Sequence, residues 1–97
     1  MRVELRETGS IVLPAAKAEV LELLQASVQG AAFVSPDRLE GDGSVYVLRE
    51  LAAGTQVIHA RTGSASVPRA TRDRAQLRRT VESDLFRLQR LFDVRSN

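Results

Sequence analysis

Any histidine chemistry in this chain rests on one imidazole, His59, because the 97 residues contain no second histidine and no cysteine. A zinc site draws three or four ligands from Cys, His and carboxylates, so neither a thiolate centre nor a helical histidine pair exists. His59 lies in the β-branched run TQVIHART on the parity of Val57 and Arg61. It can therefore turn inward as an acid–base group or outward to water. Glu19 and Glu22 share the outer face of a first helix, while Glu40, Asp42 and Glu50 scatter over turns and a strand, the pattern of solvated charges. No serine sits in a Gly-x-Ser-x-Gly elbow. GDGS at 41–44 fits a turn better than a phosphate loop or dinucleotide fingerprint. No catalytic, metal or cofactor set emerges, and the chain reads as a binding protein rather than an enzyme.

The cations are unevenly placed. Residues 1–68 hold six Lys/Arg and eight Asp/Glu, whereas residues 69–97 hold eight Arg and four Asp/Glu. A basic C-terminal segment invites nucleic acid. Thirteen of the fourteen basic residues are Arg, a bias that a G/C-rich genome also produces.

Elements to position these residues can be read from periodicity. Val3, Leu5, Ile11 and Leu13 alternate with Arg2, Glu4, Arg6, Thr8 and Ser10, predicting a half-buried strand over 2–13, with Gly9 marking a bulge or bend. Pro14 suits the entry to a helix over about 15–28, whose Ala16, Val20, Leu23, Leu24 and Ser27 share a face, with Gly30 as its stop. VSPDRLEGDGS leaves room for one short strand around 38–40. SVYVLREL and TQVIHART, joined by AAG at 52–54, predict a hairpin. GSASVPRAT at 63–71 is a loop or a short edge strand, and 72–94 a long helix with Asp73 near its start and Arg90 and Arg95 near its end. The expected fold is a single α+β domain over 1–97, in the order β-α-β-β-β-α, with a curved antiparallel sheet of about four strands covered by its helices.

On the long helix, Leu77, Val81, Leu85, Leu88 and Phe92 form a stripe wide enough to pack on a sheet. Arg72, Arg79 and Arg90 gather on the opposite side with Phe86 among them, making Arg79, Phe86 and Arg90 candidates for a homodimer contact. A base-stacking platform is the other use of such a ring.

The strand entering VLPAAKAEVLELLQ, the hairpin YVLREL-AAG-TQVIHA and the final ESDLFRLQRLF together resemble the START-like helix-grip superfamily of polyketide cyclase and lipid-transport proteins (SRPBCC). The likeness spans most of the chain. It implies a sheet wrapped around the long helix and an apolar ligand held between them. The groove residues would be Leu77, Val81, Leu85 and Leu88 of the helix with Val45, Tyr46, Val47 and Val57 of the hairpin. Family members usually have a longer sheet, so a shortened one predicts an open groove or a groove closed by a second copy. The order helix, three strands, helix over 15–94 also resembles double-stranded-RNA-binding domains, with Arg69, Arg72 and Arg74 at the basic helix start. The expectation is thus an apolar small molecule or a second copy as partner, with RNA or DNA as the alternative. The N-terminus lacks a signal-like apolar run and no stretch is long enough to span a bilayer, so a cytoplasmic, soluble protein is expected.

Overall fold

The structure, a computed structural model, describes residues 1–28, 30, 32–41 and 43–96. Five strands form one antiparallel sheet: β1 (Arg2–Leu13), β2 (Ala32–Ser35), β3 (Arg38–Gly41), β4 (Ser44–Leu51) and β5 (Gly54–Ser66), in spatial order β1-β5-β4-β3-β2. Helix α1 (Lys17–Ser27) follows β1, and α2 (Ala70–Ser96) follows β5 through a single 3₁₀ turn at Val67–Arg69.

This order sets the task of α1. Strands β1 and β2 lie on opposite edges of the sheet, about 19 Å apart at the usual strand spacing. An 11-residue helix, about 16 Å long, carries the chain most of that way. Its Val20, Leu23 and Leu24 are buried. Its partner in covering the sheet is α2, whose Val81, Leu85 and Leu88 enter the same core as Leu13, Leu39, Tyr46, Leu48 and Val57.

The β1–β5 pairing runs without a break from Arg2↔Ser66 to Leu13↔Thr55. Gly9 therefore makes no bulge. Its missing side chain instead admits α2, since a Cβ there would stand 3.0 Å from Leu85 Cδ1 and 3.2 Å from Val81 Cγ1. A strand glycine marks close approach of another element as readily as a bend. Gly54 closes the β4–β5 turn with φ 143°, where an added Cβ would strike the Leu13 carbonyl at 2.1 Å.

The sheet has five strands rather than about four. Ala32–Ser35 escapes sequence reading because it is a four-residue edge strand with only Phe33 half-buried, and its Pro36-Asp37 punctuation is the hairpin turn into β3. Residues 63–66 extend β5 as the partner of the start of β1, not a separate edge strand. α1 is shorter than expected by about a residue or two at each end, and Gly30 takes φ 72° beyond its end. Asp42, expected in the GDGS turn, lies outside the described residues.

Candidate functional site

Strand pairing places four polar side chains on the inner face of the sheet, beneath α2. Tyr46 of β4 stands opposite His59 of β5, and Ser44 opposite Arg61. Period-two alternation then aims all four toward the helix. Asp84, on the edge of the apolar stripe of α2, meets them from above.

His59 is fully buried. Its Nδ1 lies 3.1 Å from the Val45 carbonyl oxygen and its Nε2 2.9 Å from Asp84 Oδ2. The ring thus bridges β4 and α2 through its two nitrogens. The Tyr46 ring stacks on the imidazole, with centroids 4.1 Å apart and planes 11° from parallel. Arg61 Nε donates to the same Asp84 oxygen at 2.7 Å, and Arg87, one turn along α2, sits 3.6 Å from Oδ1. Glu7 of β1 is the cross-strand neighbour of Arg61 on its other side.

Burial pushes the Asp84 carboxyl up, but hydrogen bonds from His59 and Arg61 outweigh it and hold the group below the usual carboxylate range. Burial, reinforced by the Asp84 charge, pushes the Tyr46 phenol up, against the opposing charges of Arg61 and Arg87. The cluster is thus one largely buried carboxylate held ionised beside the His59 imidazole and two guanidiniums.

It is also open on one side. Ser27 and Val28 at the end of α1, Gly41 and Ser44 at the β3–β4 turn, and Tyr46, Arg61, Asp84 and Arg87 line a notch of about 430 Å³. A crevice of about 30 Å³ leads inward from it between Leu24, Val28, Leu88 and Leu91. Arg61 is about one-third exposed, and the Arg87 side chain is 68% exposed. Two guanidiniums at different depths therefore border one polar opening. No group of three or more potential metal ligands occurs among the described residues.

The expected groove residues separate. Tyr46, Val57, Val81, Leu85 and Leu88 are buried together in the packed core, and Leu77 is half-buried farther toward the start of α2. Val45 and Val47 belong on the other face of the sheet, because they alternate with the inward Ser44, Tyr46 and Leu48. They pair with Ala60 and Ile58 on that outer side. Phe86 is 64% exposed, and the Arg90 guanidinium carbon lies 5.9 Å from its ring centre. Arg79 is exposed on the same side of α2, as is Arg72, whereas Arg74 lies about 200° around the helix from Arg72 and Arg69 is exposed in the 3₁₀ turn before α2.

Asp84, Arg61, Arg87 and Ser44 were not singled out as site residues by the sequence. The available signal was Asp84 itself, a carboxylate beside the Val81–Leu85–Leu88 stripe, where a solvated acid would not be placed. His59 was singled out, and the inward alternative is the one adopted. Among the described residues no helix is long and apolar enough to cross a membrane. Comparison with family models, with curated proteins and with solved structures returns no match.

Proposed function

We propose that the chain is a non-enzymatic binding module of reduced helix-grip type, whose ligand is a small organic oxyanion held in the notch at Ser44, Tyr46, Arg61 and Arg87. The strand order β1-β5-β4-β3-β2, with a helix in the β1–β2 crossover and a long C-terminal helix across the sheet, supports the helix-grip reading. The space between helix and sheet, expected to hold an apolar ligand, is occupied by side chains such as Leu13, Val57 and Val81 with at most 1% exposure. That moves the proposed site to the end of the sheet beside the β3–β4 turn.

The observation that carries the reading is the pairing of two guanidiniums with one carboxylate at an open notch. Asp84 is engaged by His59 and Arg61 at hydrogen-bond distance, leaving Arg87 only a longer contact at 3.6 Å. An exposed guanidinium beside a fixed one is suited to take a carboxylate or phosphate monoester, and Arg makes such contacts in bidentate form. The volume of the notch, about 430 Å³, would take a small organic body beside the Tyr46 ring edge.

Tyr46 is the sole tyrosine in a chain without tryptophan, so its emission reports the notch directly. Titration with benzoate and with phenyl phosphate is expected to change that emission saturably, and Arg87→Gln to weaken binding about tenfold, about 1.4 kcal/mol. The two titrants separate carboxylate from phosphate preference. Absence of a saturable change with either, or equal binding by the variant, would overturn the assignment.

A further inference from the structure

The outer surface of α2 carries a second feature, a strip of residues none of which lines the notch. At about 100° per residue, Arg72, Gln76, Arg79, Ser83, Phe86 and Arg90 fall within a strip about 80° wide, and all are exposed. Arg72 and Arg90 are about 27 Å apart along the axis, with Arg79 between them and Arg69 at the helix entry. The strip contains no acidic residue. Of the four acids of α2, three engage partners off it, Glu82 with Arg78 at 3.5 Å, Asp84 with Arg61 and Asp93 with Gln89, and Asp73 lies about 100° around the helix from Arg72. Arg72, Arg79 and Arg90 have no carboxylate within ion-pair distance among the described residues.

We infer that this strip is a binding surface for the phosphate backbone of a single-stranded nucleic acid, with Phe86 as a stacking face. The polyanion follows from charge: a line of unpaired guanidiniums is electrostatically incomplete, and planar Arg matches phosphate oxygens. A shallow groove beside the line, lined by Arg72, Gln76, Arg79, Thr80, Ser83, Asp84 and Arg87, adds neutral hydrogen-bonding side chains and meets the notch at Asp84 and Arg87. The single strand follows from Phe86, whose ring is 64% exposed next to Arg90, an arrangement that accepts an unstacked base.

Three other occupants fit less well. A second copy meeting this strip about a two-fold axis would set arginine against arginine. A bilayer surface needs the apolar face of an amphipathic helix, and here Val81, Leu85 and Leu88 are buried against the sheet. An acidic protein partner would call for an apolar centre larger than one ring.

Fluorescence anisotropy of labelled oligo-U, oligo-dT, a DNA duplex and a poly-glutamate peptide, at rising salt, tests the inference. Both single strands are expected to bind, with log affinity falling against log salt at a slope of about −2 for three phosphate contacts. Arg72→Gln and Arg79→Gln should each make the slope shallower by about 0.7, while Arg74→Gln and Arg78→Gln, with the same charge change off the strip, leave it unaltered. Phe86→Ala should weaken single strands severalfold without changing the slope. Lack of binding at low salt, equal loss in strip and off-strip variants, tighter binding of duplex or poly-glutamate, or dimerisation through Phe86 in light scattering would each overturn it. Arg87 is left intact throughout, so failure here is separate from failure of the notch.

Discussion

Asp84 does two jobs with one side chain. Its Oδ2 receives both His59 and Arg61, which ties α2 to β5, and its Oδ1 faces Arg87 at the notch. Removing one partner from a buried charged group costs more than the interaction itself contributes, because the remaining charges stay desolvated. Asp84→Asn is therefore expected to lose about 3 kcal/mol at neutral pH, measured by urea unfolding. The pH dependence follows from the direction of the shift. Burial raises the Asp84 carboxyl, the hydrogen bonds lower it further than burial raises it, and the folded value lies below the unfolded one. Its stabilisation is complete above the ordinary carboxylate range and is lost as pH falls through the lowered folded value. The difference in stability between wild type and Asp84→Asn should therefore shrink on acidification. A constant difference would mean that Asp84 does not carry this charge.

Tyr46 gives an independent reading of the same cluster. Its phenol is raised by burial and then by the Asp84 charge, so the neutral form is favoured in the fold. That contribution is fully present below the ordinary tyrosine range and is lost as pH rises through the raised value. Because Tyr46 is the only tyrosine, phenolate absorbance should appear above the ordinary range, and Asp84→Asn should move its midpoint down. An ordinary midpoint in the wild type, or no movement in a folded variant, would contradict the placement.

At the scale of elements, the legible parts were those with an unambiguous period. The alternation of β1, the β4–β5 hairpin and the 3.6-residue stripe of α2 all read directly from the chain, because each buries a face many residues long. β2 did not, since four residues at an edge bury almost nothing and leave no pattern. Gly9 was legible as a special position, but two physical causes share one residue type. A bend and a close approach both call for glycine, and only the packing of Val81 and Leu85 decides between them. The close approach predicts that Gly9→Val, which must displace both side chains, destabilises by about 2–3 kcal/mol in chemical unfolding. A neutral effect would remove the argument that α2 presses on β1 at this point.

For the whole molecule, the inner and outer faces of the sheet divide the candidate residues more sharply than the linear reading could. Groove membership was assigned by hydrophobicity, and Val45 and Val47 look as apolar as Val57. Parity within each strand, together with the pairing of β4 to β5, sends Val57 inward and the other two outward. The notch was illegible for a different reason. Its members come from the end of α1, the β3–β4 turn, β4, β5 and α2, separated by up to 60 residues, and no local spacing joins them. The charge asymmetry is legible in the sequence, and the fold lays three of the eight arginines of 69–97 along one exposed strip of α2.

The central claim is that a small oxyanion enters between Arg61 and Arg87. The most direct measurement is a two-dimensional amide and guanidinium NMR titration of the folded protein with phenyl phosphate and benzoate. The account predicts saturable shifts confined to the notch, at Ser27, Val28, Ser44, Tyr46, Arg61 and Arg87, with Arg72, Arg79 and Arg90 unmoved. Shifts concentrated along α2, or none at the notch, would contradict it.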